Sequence, residues 1–299
     1  MTTATASDKP RIGWIGLGKM GFPICERLAA REFKVTALTR NPESRARAAG
    51  ANLQCESTIR DVVAGAQIVV SAISDDAALR DIVFQKDGLQ DSLNAAQIFV
   101  EISTVSPGVS RRVAEAMSAI AVDYVRSPVS GSTATAAQGA LTAVISGRPG
   151  AIERLQDFYA GFTRKTFVVG DAEEARYLKL VLNSLVGATS ALLAEALALG
   201  RKGGLDVSAM MDVICQSAVA SPLLQYKRDT IVNGNYEPAF TVKQIMKDFD
   251  IIAEVSRQDH CPMPLTAHIR QQYEAAFMNG CGDLDFFVLA REAARIAGL

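Results

Sequence analysis

Short apolar runs alternate with helical stretches through the first half of the chain. Most of these runs are continuously apolar rather than alternating, which is typical of strands with helices packed on both faces of a parallel sheet. The pattern predicts a doubly wound α/β domain over residues 10–170. The predicted strands are Arg11–Ile15, Lys34–Leu38, Gln67–Ile73, Gln97–Ile102, Val122–Val125, Leu141–Ser146 and Thr166–Val169.

From Asp171 onward only helical periodicity is present, which predicts an all-helical C-terminal domain over residues 171–299. Asp171-Ala172-Glu173-Glu174 resembles an N-cap with an acidic residue three positions on. Gly203-Gly204 would stop the helix after Lys202. We therefore expect one long interdomain helix that forms the spine of the second domain.

This long helix is apolar on nearly every face between Leu185 and Leu199. A helix of that kind must be buried all round. The helical domain itself could surround it, but burial against a second copy is at least as natural. The sequence therefore predicts a homodimer.

A glycine-rich run, Gly16-Leu17-Gly18-Lys19-Met20-Gly21, comes directly after the first predicted strand and before a predicted helix. In G-x-G-x-x-G the first glycine allows a tight turn, the second lets the backbone approach a pyrophosphate, and the third lets helix and strand pack closely. The run predicts a dinucleotide site on a Rossmann-type sheet.

The same residues also match the start of a nucleotide-triphosphate P-loop, since Gly13 and Lys19 fit G-x-x-x-x-G-K. The next position needs a Ser or Thr hydroxyl for Mg²⁺, but it is Met20, and a thioether is a poor ligand for a hard cation. Gly13 also falls inside the strand. A kinase or NTPase is therefore disfavoured.

The second strand is followed by Thr39-Arg40-Asn41-Pro42, without the acidic residue that usually binds the ribose of NAD. A guanidinium at Arg40 suits the 2′-phosphate of NADP. The alternative is that Arg40 is a solvated loop residue. The sequence favours NADP over NAD.

Composition narrows the function classes. The 299 residues carry a formal net charge of −1, so no electrostatic footprint for nucleic acid or an anionic membrane is visible. The five cysteines form no C-x-x-C pair, which argues against a zinc site or disulfide framework and fits a cytoplasmic protein. Only two histidines are present, which disfavours a Ser-His-Asp hydrolase.

Two segments bear on targeting and membrane insertion. Residues 1–9 have neither the basic start nor the apolar centre of a signal peptide, and we expect them to form a disordered tail. The run Leu185–Gly200 contains polar residues and falls short of a membrane span. The sequence predicts a soluble protein.

Three segments carry candidate chemistry. Lys179 and Asn183 are four residues apart and share one face of the long helix, where a desolvated lysine could exchange protons near neutral pH. Ser103-Thr104 follows a strand at the carboxyl edge of the sheet, where ligands of such sheets bind. A third segment, residues 130–132, offers a serine hydroxyl beside a glycine N–H for a carboxylate. The plainer alternatives are a solvated helix face and ordinary turns.

Together these elements resemble the β-hydroxyacid dehydrogenase family, which includes 3-hydroxyisobutyrate dehydrogenase. The resemblance runs from Ile12 to about Ala290. Its motifs are Gly16-Leu17-Gly18-Lys19-Met20-Gly21-Phe22-Pro23, Thr39-Arg40-Asn41-Pro42, Ile102-Ser103-Thr104, Ser127-Pro128-Val129-Ser130-Gly131-Ser132, Gln138-Gly139-Ala140-Leu141, Lys179-Leu180-Val181-Leu182-Asn183, Ala194-Glu195-Ala196 and Lys247-Asp248.

The resemblance implies an NAD(P)-dependent oxidoreductase that interconverts a small β-hydroxy acid and its semialdehyde or keto acid. No metal is expected. It implies Lys179 as general acid/base and Asn183 as the residue that orients the substrate. Substrate contacts are expected from Ser103, Ser130, Gly131, Ser132 and Lys247. Cofactor contacts are expected from Gly16, Leu17, Gly18, Lys19, Met20, Thr39, Arg40, Ser74, Thr104, Lys247 and Asp248. Family members form intertwined dimers.

Two departures from the family pattern limit the substrate assignment. Arg126-Ser127 replaces the usual Asp-Ala, and Ser184 replaces a second Asn. Arg126 could recognise a second acidic group on the substrate or pair with a nearby acid such as Asp123, and pairing is favoured.

Two other functions stay open. An imine reductase-like NADPH enzyme has the same architecture, but those enzymes typically lack the residue corresponding to Lys179. A non-catalytic NADPH-binding dimeric module is disfavoured by the intact Lys179 and Asn183.

Overall fold

The computed structural model describes residues 9–39 and 41–299. The strands are β1 (Ile12–Ile15), β2 (Val35–Leu38), β3 (Gln54–Glu56), β4 (Ile68–Ser71), β5 (Ile98–Glu101), β6 (Asp123–Arg126), β7 (Val129–Ser130), β8 (Leu141–Ser146) and β9 (Thr163–Gly170). The helices of the first half are α1 (Gly21–Ala30), α2 (Pro42–Gly50), α3 (Ile59–Val63), α4 (Asp76–Phe84), α5 (Leu89–Ser92), α6 (Pro107–Ala119), α7 (Thr133–Ala137), α8 (Pro149–Glu153) and α9 (Gln156–Ala160).

Helices alone make up the regular structure that follows. They are α10 (Glu174–Lys202), α11 (Val207–Gln216), α12 (Pro222–Val232), α13 (Val242–Gln258), α14 (Pro264–Ala276) and α15 (Leu289–Ile296), with a π-helical turn at Phe277–Cys281 and a 3₁₀ turn at Phe286–Val288. This confirms the predicted fold class, an α/β sheet domain followed by helices.

The sheet has the strand order β3-β2-β1-β4-β5-β6-β8-β7, with β9 paired to β8. All pairs from β3 to β6 are parallel, which is the Rossmann order. Strand β8 runs antiparallel to β6 and β7. All seven predicted strands are confirmed, whereas β3 and β7 were missed because they are only three and two residues long.

The central strands are buried on both faces, as their continuous apolar sequences predict. Successive side chains of a strand point to opposite faces, and β1 divides accordingly: Trp14 packs into one core cluster and Ile15 into the other. Val100 and Phe99 of β5 divide in the same way. The sheet therefore has a hydrophobic core on each face. Because both faces are covered, a ligand is expected to bind at the loops.

The chain forms two compact units, Met1–Lys179 and Leu180–Leu299. The sequence-based domain limits, 10–170 and 171–299, stay predictions. Of the predicted tail 1–9, only Lys9 lies within the described residues, and its Nζ donates to the Arg31 carbonyl at 2.6 Å.

Helix α10 is a single helix of 29 residues and ends at Lys202 as predicted. Its end is closed by a bond from the Leu205 N–H to the Gly200 carbonyl, with Gly204 at φ +83°. Its start differs from the prediction, because the helix begins at Glu174 and Asp171 lies outside it. The Ser146 hydroxyl accepts the Ala175 N–H at 3.4 Å, so a residue from β8 caps the first turn.

Within a single chain α10 is not buried on every face, so of the two alternatives the helical domain alone does not surround it. Leu185, Leu192 and Leu199 are 61%, 71% and 76% exposed. Their seven-residue spacing places them along one stripe of the helix. By length and composition α10 could also cross a membrane, contrary to the prediction for Leu185–Gly200; core helices of soluble proteins meet the same criterion.

Candidate active site

Strand register brings the candidate segments to one edge of the sheet. Ile15, the last residue of β1, is level with Leu38 of β2 and Ser71 of β4, and Ser71 is level with Glu101 of β5. Glu101 in turn is level with Arg126. The segments that follow these strands, which contain Gly16, Thr39, Ser74, Ser103 and Ser130, therefore start from the same carboxyl edge. The edge includes the switch point between β1 and β4, where such sheets bind ligands.

The glycine corner, formed by residues 16–21 where β1 leads into α1, has the geometry that a dinucleotide requires. Gly16 has φ +105°, and a Cβ there would collide with the Ala72 carbonyl. A Cβ on Gly21 would collide with the Gly16 carbonyl, which also accepts the Trp14 indole N–H at 3.1 Å. A Cβ on Gly18, in contrast, would meet no protein atom within 4 Å. The first and third glycines are thus needed by the fold, while space beside the second is open for a phosphate at the start of α1.

The neighbouring residues of this corner are divided between core and surface. Leu17 and Met20 pack partly buried against the hydrophobic core, whereas Lys19 is exposed. The Lys19 side chain is therefore accessible at the turn between β1 and α1.

The loop after β2 is held by a helix cap. The Asn41 side chain accepts the N–H groups of Glu43 and Ser44 at 2.8 and 3.2 Å. Thr39 is buried, and its hydroxyl accepts the Asn41 N–H at 3.3 Å. Arg40, the predicted 2′-phosphate ligand, lies outside the described residues.

The loop after β5 is connected to the loop after β4. The Ser103 hydroxyl accepts the Ile73 N–H at 2.8 Å, and the Ser103 N–H donates to Glu101 Oε1 at 2.7 Å. Ser74 donates to Asp75 at 2.8 Å, at the start of α4. Thr104 is half-buried beside Ser103. Ser103, Ser74 and Thr104 therefore lie together at the carboxyl edge.

The predicted carboxylate segment begins in the short strand β7. Ser130 is half-buried and level with Thr142 of β8. Gly131 has φ +139°, a conformation that disfavours any residue with a Cβ. The Ser132 hydroxyl caps α7 by accepting the Thr135 N–H at 3.2 Å. Ser132 therefore caps α7, and substrate contacts by Ser130, Gly131 and Ser132 stay a prediction.

A buried arginine connects the first turn of α10 to the end of β5. Arg176 is 1% exposed, and its Nη2 lies 2.5 Å from Glu101 Oε2. Its Nη1 donates to the Ser103 carbonyl at 3.0 Å. Burial acts to lower the pKa of Arg176, but Glu101 and Tyr124 outweigh it and the pKa is raised. The guanidinium is therefore permanently charged.

Arg126 pairs with an acid, as favoured from the sequence, but the acid is Glu173 rather than Asp123. Its Nε and Nη2 both donate to Glu173 Oε1, at 3.1 and 2.7 Å, and both side chains are buried. Asp123 pairs instead with Arg148 at 2.8 Å. Because the Arg126 charge is compensated inside the protein, this geometry counts against recognition of a second acidic group by Arg126.

In the second unit, the candidate residues of α10 and α13 meet. Asn183 Nδ2 donates to Asp248 Oδ2 at 2.5 Å. Asp248 is 1% exposed, and its Oδ1 lies 2.9 Å from Lys247 Nζ. These contacts fix the plane of the Asn183 carboxamide. The spacing of Lys179 and Asn183 on one continuous helix keeps them on one face.

The residues that sequence reasoning missed are Glu101 and Arg176. Each is a charged residue next to apolar positions in the sequence. Their opposite charges were the only sequence feature that could have suggested a buried ion pair. They lie 75 positions apart in the chain, so no local pattern connects them.

The open space at Gly18 and the helix start fit a dinucleotide. Among residues 9–39 and 41–299, no group of three or more His, Cys, Asp or Glu side chains is placed to hold a metal.

Two family models together cover most of the chain. The NAD binding domain of 6-phosphogluconate dehydrogenase matches residues 11–170, and the NAD-binding domain of NADP-dependent 3-hydroxyisobutyrate dehydrogenase matches residues 174–292. The chain belongs to the β-hydroxyacid dehydrogenase family. It is accordingly an NAD(P)-dependent oxidoreductase.

Several known proteins are similar over nearly their whole length. The 2-(hydroxymethyl)glutarate dehydrogenase of Eubacterium barkeri is 27% identical over 97% of this chain and 96% of its own length. The L-threonate dehydrogenase of Cupriavidus necator is 29% identical over 92% and 93%. A 3-hydroxyisobutyrate dehydrogenase from Salmonella typhimurium shares the fold, with a TM-score of 0.86 and 23% identity over 95% of this chain and 100% of that one. These matches do not favour an imine reductase or a non-catalytic module.

Proposed function

We propose that this dehydrogenase interconverts a small β-hydroxy acid and its semialdehyde or keto acid, with Lys179 as the general acid/base. The observation that carries the proposal is the placement of the helix start. Arg176, three residues before Lys179, bonds the carbonyl of Ser103 at 3.0 Å. The first turns of α10 therefore begin beside the loop that follows β5, where the substrate is expected.

The proton chemistry is assigned to Lys179. In the oxidising direction its neutral Nζ accepts the proton of the substrate hydroxyl, and in the reducing direction the ammonium donates that proton to the carbonyl oxygen. A bound nicotinamide would supply the hydride acceptor or donor. Positioned proton transfer of this kind contributes about 10²–10⁴-fold to rate.

The substrate carboxylate is assigned to Ser130 and the backbone N–H of Gly131. A hydroxyl and a backbone N–H are both donors to a carboxylate. We also assign Ser103 to the substrate, because its hydroxyl accepts the Ile73 N–H and keeps its own O–H as a donor. Together these donors would orient the reacting carbon.

The cofactor is assigned to the glycine corner and the loops next to it. Gly16, Leu17, Gly18, Lys19 and Met20 would contact the pyrophosphate side. Thr39 and Arg40 would contact the adenosine side, with Arg40 favouring NADP. Ser74 and Thr104 would lie toward the nicotinamide.

The helical unit is assigned the remaining contacts. Asn183 would orient the substrate through the carboxamide that Asp248 holds. Lys247, whose Nζ pairs with Asp248 at 2.9 Å, would reach cofactor and substrate. The functional division is therefore a nucleotide domain over residues 10–170 and a substrate and dimerisation domain over residues 171–299.

We further propose that the protein is cytoplasmic and a homodimer, with a tetramer of two dimers as the alternative assembly. The exposed stripe Leu185, Leu192 and Leu199 supports self-association, because large apolar patches are rarely left in water.

The substrate class is tested by NADPH and NADH oxidation with a panel of semialdehydes and glyoxylate. Turnover on at least one panel member, faster with NADPH, is expected. Tight NADPH binding without turnover on the panel, or turnover of cyclic imines alone, would contradict the proposal.

A further inference from the structure

We propose that Arg176 is a positioning residue for the reaction. Its guanidinium fixes the Ser103–Thr104 loop to the first turn of α10, and it thereby sets where the Lys179 amine meets the substrate. The inference rests on the acid/base role proposed for Lys179. Arg176 itself is almost fully buried, so it acts through these neighbours and is not assigned a contact with the substrate.

The guanidinium binds four groups from four segments of the chain. Nη2 pairs with Glu101 Oε2 at 2.5 Å and donates to the Tyr124 hydroxyl at 2.9 Å. Nη1 donates to the Ser103 carbonyl at 3.0 Å, and Nε donates to the Ser110 hydroxyl at 3.2 Å. Only a planar fork with several donors can satisfy these acceptors together.

Glu101 also holds the Ser103–Thr104 loop, through the backbone N–H of Ser103. Its Oε1 accepts the Ser103 N–H at 2.7 Å while its Oε2 pairs with Arg176. The N–H and the carbonyl of Ser103 are therefore both held within one buried ion pair. Since the Ser103 hydroxyl also accepts the Ile73 N–H, the N–H, the carbonyl and the hydroxyl of this residue each have a partner.

A second buried pair holds the same helix start. Arg126, which is level with Glu101 on the neighbouring strand, binds Glu173 through two donors. The Arg126 guanidinium also lies 4.6 Å from the centre of the Tyr124 ring. The two arginines and two glutamates thus alternate across the strands and the helix start, so that each buried charge has an opposite partner.

Position matters for Lys179 because proton transfer needs hydrogen-bond distance to the reacting oxygen. A helix start displaced by about 1 Å can cost about 10²-fold in rate. Lys179 is one turn beyond Arg176, so a shift of Arg176 against Ser103 moves the amine relative to the loop.

The test compares Arg176→Lys with the double variant Arg176→Met/Glu101→Gln. Lysine keeps the charge beside Glu101 but cannot bond Ser103, Ser110 and Tyr124 together. The double variant removes both buried charges at once, which avoids an unpaired carboxylate. The matched control is Lys227→Met/Asp285→Asn, a buried pair of the helical unit with a distance of 2.6 Å. For each variant the Tm, the Kd of NADPH, kcat, KM and the pH profile of kcat are measured, beside Lys179→Ala.

We expect both Arg176 variants to bind NADPH as the parent does, within about twofold, and to lose kcat by about 10–10²-fold. Their pH profiles should change in the limb that Lys179→Ala abolishes. The control should lose Tm by a similar amount and keep its kcat at temperatures well below its Tm. If the double variant fails to fold, Arg176→Lys and Tyr124→Phe test the positioning role instead. We expect both to lose kcat.

Full kcat in folded Arg176 variants, with Lys179→Ala inactive, would overturn the positioning role and leave the proposed function intact. An equal kcat loss in the control pair would also overturn it, since the effect would then be general destabilisation. Undiminished turnover in Lys179→Ala would instead refute the proposed function.

Discussion

Asn183 and Asp248 form a 2.5 Å hydrogen bond between α10 and α13, and both side chains are buried. The bond fixes which edge of the carboxamide faces away from α13. An amide that has lost this partner could rotate, so its oxygen and its second N–H would no longer be presented in one orientation.

Removing this bond should lower kcat/KM and leave the nucleotide unit folded. A hydrogen bond to a charged group contributes about 1.5–3 kcal/mol. We therefore expect Asp248→Ala to lower kcat/KM by roughly 10–150-fold, with the Kd of NADP(H) measured in parallel. The matched control is Asp250→Ala on the same helix, which removes an exposed pair with Arg270. Equal effects of the two substitutions would contradict the orienting role of Asp248.

In the glycine corner, Gly21 should be required for folding, whereas Gly18 should be required for cofactor binding. We expect Gly21→Ala to lower the Tm, because its Cβ would collide with the Gly16 carbonyl. Gly18→Ala should leave the Tm unchanged, since nothing in the protein occupies that space. It should still weaken NADPH binding by about tenfold or more, because the methyl group takes the place of the phosphate.

Thermal unfolding and NADPH titration together check this difference. Gly50→Ala, at the end of α2 and also without a neighbour within 4 Å, should leave NADPH binding unchanged and should not lower the Tm, because alanine favours a helix more than glycine does. Unweakened binding by Gly18→Ala would refute the assignment of the pyrophosphate to this corner.

Cofactor choice should depend on Arg40. A charge-assisted contact to the 2′-phosphate contributes about 1.5–3 kcal/mol, so Arg40→Ala should raise the KM of NADPH by roughly 10–150-fold and leave that of NADH nearly unchanged. Arg60→Ala, which breaks an exposed pair with Asp87, is the control. A proportional rise for both cofactors would show that Arg40 does not discriminate between them.

The stripe on α10 should hold the dimer together. Leu192→Glu would place an unpaired charge in the buried interface, a large cost, so the dissociation constant should rise by about 10²-fold or more. Sedimentation velocity over a concentration series checks this, with Phe84→Glu in the first unit as control. A monomeric parent protein, or a dimer that tolerates the charge, would contradict the assignment.

Local patterns were sufficient for the fold class and for placing the candidate loops at one edge of the sheet. Continuous apolar runs identified β1, β4 and β5 because both faces of these strands are covered. The glycine spacing identified the corner after β1 because Gly16 and Gly21 each answer a separate steric demand of the fold.

Contacts between distant segments were not predictable in the same way. The partner of Arg126 proved to be Glu173, 47 positions away, rather than the acid three positions before it. Ser132 matches a substrate motif and also caps α7, since a serine before a short helix satisfies both patterns. The reversed direction of β8 follows from the path of the chain around β7, which no periodicity encodes.

The central claim is that Lys179 carries the proton, and one comparison tests it most directly. The kcat of Lys179→Ala is measured with the best hydroxy acid or aldehyde of the panel, beside Lys202→Ala at the far end of the same helix. We predict a loss of about 10²–10⁴-fold for Lys179→Ala, with unchanged NADPH affinity and full activity in Lys202→Ala. Lys179→Ala turning over at the parent rate would contradict the account.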